Sequence, residues 1–188
     1  MRKSFALIAF ATFALVGMAC SCASEKKQTV KIEENTESQT EKQTRSPSGF
    51  TTYENTEYGF SVEYPQICRP QNDDAELEKS FRGKLFIGDN AMLSAQCLMK
   101  DDGSPYDPSY FDMQHEWAAS ASEGAEILKD EKSDNEFTVK TVDSEMVHNQ
   151  RAIFKGGKIY RVDYSYPVSV REKHDKYVDE VLASLKVK

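Results

Sequence analysis

The closing stretch, Lys158 to Lys188, constrains the fold most, because it holds a strand and a helix that are stable only against one another. Tyr160, Val162, Tyr164 and Tyr166 alternate with Arg161, Asp163 and Ser165, the period-2 pattern of a sheet with one buried and one wet face. Pro167 has no N–H to give a ladder, so it stops the strand. Beyond it, Tyr177, Val178, Val181, Leu182 and Leu185 recur at i, i+1, i+4, i+5 and i+8, one stripe of a helix. A stripe of that kind needs a sheet to lie on. The minimum fold is therefore a helix docked on a sheet.

The opposite end has a different character. Arg2 and Lys3 precede an apolar run from Phe5 to Val16 and then small residues up to Cys20. A charged start, a short apolar region and a small-residue exit describe a secretory signal, and the run falls short of the ~20 residues that span a bilayer. The stretch Val16-Gly17-Met18-Ala19-Cys20 resembles a bacterial lipoprotein signal, in which the cysteine becomes the acylated first residue. Gly17 stands where such signals usually carry leucine, and Cys22 is a second candidate. Residues 1–19 are thus expected to be a lipoprotein signal peptide, with Cys20 as the lipidation site. More than one acyl chain, at ~0.8 kcal/mol per buried CH₂, suffices for stable anchoring.

From Ser21 to Gly49 the chain turns to Glu, Lys, Gln, Thr and Ser, with Val30 and Ile32 as its sizeable apolar residues. No core forms from that composition, so residues 20–49 are expected to be a lipid-anchored disordered tether with a reach of ~30 Å. The whole chain carries a formal net charge of -7, and loss of Arg2 and Lys3 makes it more acidic still. Such a surface repels nucleic acid.

Residues 50–188 are expected to form the folded domain. Phe50 to Tyr53 is a short first strand. In the second, Tyr58, Phe60, Val62 and Tyr64 alternate with Gly59, Ser61 and Glu63 before Pro65 ends it. Asp73 or Asp74 can cap a short helix with Leu77 and Phe81 one turn apart. Leu85 to Ile87 and Ala91 to Met99 form a hairpin about Gly88-Asp89-Asn90, with Ala91, Leu93, Ala95, Cys97 and Met99 on the core face. Asp107-Pro108 starts a helix with a capping carboxylate and proline at its first position. In that helix Tyr110, Met113, Trp117 and Ala121 are expected to share the buried stripe. Ile127 to Lys129, Phe137 to Val142 and Met146 to Phe154 are further strands, and Gly156-Gly157 turns the last of them into the closing strand. Hairpins dominate, so the expected class is α+β: a mostly antiparallel sheet of about six strands with helices packed on it.

Tyr58 to Pro65, Ile159 to Pro167 and Tyr177 to Lys186 resemble the PsbP-like superfamily, which includes PsbP, the Ran-binding Mog and DcrB-type lipoproteins. The resemblance spans about Phe50 to Lys188 and rests on its two ends. It implies an α/β/α sandwich that serves as a non-catalytic binding or assembly module. No functional residue carries over, since no functional motif is matched.

Three sets of residues bear on chemistry. Cys68 and Cys97 are expected to form a disulfide in an exported chain, the alternative being two buried thiols. Asp101, Asp102, Asp107 and Asp112 offer hard oxygens to calcium, but their spacing is not that of an EF-hand and Asp107 serves as a cap. Asp112, His115 and Glu116 share one helical face, which suits a general base or half a zinc site. Ala119, however, stands where an H-E-x-x-H motif needs its second histidine. His148 and His174 are not paired by any pattern. The expectation is a membrane-anchored, non-catalytic lipoprotein of the bacterial cell envelope, with its domain outside the cytoplasm, a protein partner, no nucleic acid, no cofactor and no metal. The alternatives are an envelope hydrolase or metal-dependent enzyme on the Asp112/His115/Glu116 face, and a calcium-binding module.

Overall fold

A computed structural model describes residues 44–45, 49–71, 81–120 and 124–188. The stretch expected to be a signal peptide, Cys20, Cys22, most of the expected tether, the short helix expected after Asp73, and Ala121 lie outside the described residues.

Among the described residues, eleven strands form two sheets. β1 (Thr44–Arg45), β2 (Phe50–Asn55), β3 (Phe60–Pro65) and β11 (Lys186–Val187) make a small sheet in the order β1-β2-β3-β11. The large sheet runs β4 (Arg69–Pro70), β5 (Gly83–Gly88), β6 (Ala91–Leu98), β10 (Lys158–Pro167), β9 (Met146–Lys155), β8 (Glu136–Val142) and β7 (Glu126–Lys132). Every pairing in both sheets is antiparallel. Helix α1 (Pro108–Ala119) and helix α2 (Arg171–Ala183) complete the fold. The result is an α+β sandwich, with α1 on one face of the large sheet and α2 beside the small sheet on the other. β1 falls within the stretch expected to be tether, where it pairs with Thr51 and Thr52 of β2.

The closing strand sits at the centre. β10 lies between β6 and β9, so both its edges are bonded and its two faces meet different layers. Tyr160, Val162, Tyr164 and Tyr166 enter the larger core with Val178, Val181, Leu182 and Leu185. Burial of each such side chain stabilises by about 1.5–3 kcal/mol before the entropy of ordering it is subtracted. The small sheet closes the same core, with Tyr64 stacked on Phe86 at 4.2 Å between ring centroids. Arg151 of β9 fixes the end of α2: its Nη1 donates to the carbonyls of Leu182 at 2.8 Å and Ala183 at 3.1 Å. A cation there meets both the unpaired carbonyls and the negative end of the helix dipole.

Turn chemistry sets the hairpins. Asp89 and Asn90 take φ of 49° and 62° in the β5–β6 turn, and Gly156 and Gly157 take 60° and 73° between β9 and β10, the conformation that two-residue hairpins need. Gly88 is required for another reason: a Cβ there would stand 1.9 Å from the Ile67 carbonyl oxygen.

Two expectations are corrected. The buried residues of α1 are Phe111 and Gln114; of the expected stripe, Tyr110 packs partly buried against the second core, Met113 is half-buried, and Trp117 is 56% exposed. Phe111 reaches the second core, formed with Phe137, Val139, Ala152 and Ile159, and this packing rotates the tryptophan outward. The Cys68–Cys97 disulfide is not formed; both thiols are free and buried. Cys68 lies against Gly88, which pairs with Ala91, whereas Cys97 is six residues further along β6. At ~3.3 Å per residue that is about 20 Å, and a bridge needs Cα atoms within ~7 Å. Burial raises both thiol pKa values, that of Cys68 to about 11.

Candidate functional site

The residues read as the wet face of β10 are not simply solvated. Because β10 is central, Arg161, Asp163 and Ser165 face the layer that holds α1. The helix covers only part of that layer, leaving a side-opening groove of about 240 Å³. Its floor is a set of register rows: Ser165 lies between Met92 and His148, and His148 opposite Thr141. In the next row Asp163 lies between Ser94 and Gln150, and Gln150 opposite Val139. Gln114, Trp117 and Ala118 of α1 form the wall.

Hydrogen bonds order the floor. Arg161 donates from Nε to Asp163 Oδ2 at 2.9 Å and from Nη1 to Gln114 Oε1 at 3.1 Å. The Gln96 amide, with its oxygen turned to Arg161, accepts from Nη2 at 2.6 Å. Ser94 Oγ donates to Asp163 Oδ2 at 3.3 Å. Burial raises the Asp163 pKa, opposed by the Arg161 charge and the hydrogen bonds to its carboxylate. Thr141 is 1% exposed, and its Oγ1 has no hydrogen-bond partner among the described residues.

Within the same floor, His148 Nδ1 lies 3.2 Å from Ser165 Oγ, and its Nε2 lies 4.0 Å from Asp143 Oδ2. Hydroxyl, imidazole and carboxylate thus follow in order. Acyl transfer also needs donors aimed at a developing oxyanion, commonly backbone amides. Ser165 lies within the ladder to β9 and forms the last pair of the ladder to β6, and no such set of donors is directed at its hydroxyl among the described residues.

The residues singled out for chemistry from the sequence do not converge. His115 Nε2 lies 2.6 Å from Asp130 Oδ1, and Lys132 donates to Asp112 Oδ1 at 2.7 Å. Both pairs tie α1 to the edge strand β7, so Asp112 and His115 are engaged in holding the helix to the sheet. The four aspartates are likewise separate. Asp101 accepts from Arg82 at 2.7 Å, Asp102 from Ser104, and Asp107 from the Ser109 amide at 2.9 Å as the α1 cap. Among the described residues no three His, Cys, Asp or Glu side chains gather as metal ligands.

His174, unpaired in the sequence reading, is a fully buried residue of α2. Its Nε2 lies 3.1 Å from the Asp89 carbonyl oxygen and its Nδ1 2.7 Å from Tyr164 Oη. Since a carbonyl only accepts, Nε2 carries the proton and Nδ1 accepts from the tyrosine. Burial, with Lys173 nearby, pushes the His174 pKa below its usual value.

The groove was missed because strand alternation cannot distinguish a face open to water from one lying under a second layer.

Fold and site together define an α+β sandwich with a polar groove under its first helix. No protein family profile matches this chain, and no curated protein matches it. Among solved structures it is similar to the solution structure of cyanobacterial PsbP (CyanoP) from Synechocystis sp. PCC 6803, with 16% identity and a TM-score of 0.49. The match covers 76% of this chain and 95% of that one. The likeness is one of fold alone. No helix among the described residues is long and apolar enough to cross a membrane.

Proposed function

We propose that the chain is a membrane-anchored, non-catalytic lipoprotein of the bacterial cell envelope, acylated at Cys20, whose α+β domain binds a protein partner outside the cytoplasm. The observation that carries this reading is the N-terminal sequence: Arg2-Lys3, a short apolar run and Val16-Gly17-Met18-Ala19-Cys20, followed by a polar stretch suited to a tether. Asp112 and His115 are engaged within the domain, by Lys132 and Asp130 of β7, which speaks against their serving as a reactive centre. Ile87 and Met92, opposite each other on β5 and β6 and about half exposed, offer an apolar contact beside the groove. The test is metabolic acyl labelling of the intact chain in a bacterial host. Cys20→Ser is expected to abolish the label and release the protein from the membrane fraction. Labelling retained in that variant and lost in Cys22→Ser moves the anchor; labelling in neither wild type nor variants overturns the reading.

A further inference from the structure

The groove's chemistry is that of a site for a neutral, hydroxyl-rich ring. Its charged pair is already matched internally: Arg161 holds Asp163. A phosphate or a metal ion would have to break the Arg161–Asp163 pair to gain a partner, and a buried charge left behind is costly. What remains on the floor is Thr141, His148, Gln150 and Ser165, side chains that between them donate and accept, as a ligand hydroxyl also does. Thr141 Oγ1 is buried without a partner, an arrangement that costs about 1–3 kcal/mol unless something satisfies it.

The wall supplies the complementary half. Trp117 is 56% exposed at the groove, a flat apolar surface beside a polar floor. A pyranose presents the same division, with one face of C–H bonds and a rim of hydroxyls. The groove's volume of about 240 Å³ falls below the roughly 300–1,000 Å³ of drug-sized pockets and suits a single ring. We propose that this groove binds one residue of a neutral saccharide, with Trp117 stacked on its C–H face and Thr141, His148 and Gln150 meeting its hydroxyls.

The chain has one tryptophan, so its emission reports on this groove. The full chain, purified in detergent, is titrated with glucose, N-acetylglucosamine and the β-1,4-linked trimer of the latter, while Trp117 emission is followed. A saturable blue shift with at least one of these is expected. Thr141→Val, nearly isosteric, is expected to weaken that binding about fivefold, the loss of one hydrogen bond, while leaving the melting temperature unchanged or raised. A merely structural threonine would instead lower the melting temperature and leave affinity alone, which overturns the proposal. So does the lack of a saturable response to all three sugars into the millimolar range, or a response confined to glucose 6-phosphate or zinc. The result is independent of anchoring, because acylation at Cys20 and occupancy of the groove are read by separate measurements.

Discussion

Arg151→Met isolates what holds the end of α2 in place. The substitution keeps a long apolar stem and removes the guanidinium of a side chain that is 17% exposed. Three hydrogen bonds to carbonyls go with it, at 2.8 Å and 3.1 Å to Leu182 and Ala183 and a long one of 3.5 Å to Leu185, together with the 2.7 Å pair to Glu136. Hydrogen bonds to charged groups contribute about 1.5–3 kcal/mol each. Leu182 keeps a bond from the Leu185 amide at 3.4 Å, so its carbonyl is not stranded, and the lower end of that range applies. The Glu136 pair adds little, because Glu136 is 42% exposed and such pairs are screened. The expected loss is about 2–3 kcal/mol, read by urea denaturation followed by far-ultraviolet circular dichroism. At about 2–4 °C per kcal/mol for a domain of this size, the melting temperature falls by roughly 4–12 °C. Glu136→Gln, which touches the exposed partner only, is expected to cost under about 0.5 kcal/mol. If the two variants are equally mild, the guanidinium does not secure the helix, and the assignment of the α2 terminus to Arg151 is refuted.

Stability is expected to fall on mild acidification through His174. Burial and Lys173 lower its pKa, while the Asp89 carbonyl and the Asp89 and Asp175 carboxylates act in the opposite direction without prevailing. Below the unfolded value of 6.5 the unfolded chain therefore takes up a proton that the native protein declines. Stability due to this group is complete above that value and is lost as pH falls beneath it. An NMR titration of the His174 ring with a midpoint at or above 6.5 contradicts the buried neutral assignment. The cysteines give a second test: two thiols of the domain, Cys68 and Cys97, should react with iodoacetamide in unreduced denaturant and resist it in the native protein, where burial raises both pKa values. One protected pair in unreduced denaturant restores the disulfide. Finally, His115→Ala is expected to cost no more than about 1 kcal/mol, with no stoichiometric zinc in the purified chain by elemental analysis; a stoichiometric zinc ion lost in that variant favours the metal-enzyme alternative.

Local physics made most of the elements legible. Period-2 alternation in β3, β6 and β10 is tied to the pleat, and the Asp107-Pro108 cap and the Gly156-Gly157 turn are tied to backbone geometry, so each can be read without knowing its neighbours. The face of α1 was misread because tryptophan and tyrosine satisfy the helical period as well as phenylalanine does. Which of them is buried depends on whether Phe137 and Ile159 or open groove lies opposite. The disulfide failed for a related reason: spacing in sequence does not say that Cys68 and Cys97 stand at opposite ends of one strand.

The sequence by itself determined the alternation, the turns, the caps and the terminal amphipathic helix, because these depend on contacts within a few residues along the chain. Tertiary structure alone decided that β10 is central, that Arg161, Asp163 and Ser165 line a groove rather than a solvent face, and that Trp117 stands at its wall. Those facts follow from pairings between β6, β9 and β10 that are distant in sequence, and no local preference encodes which strand becomes the neighbour of which.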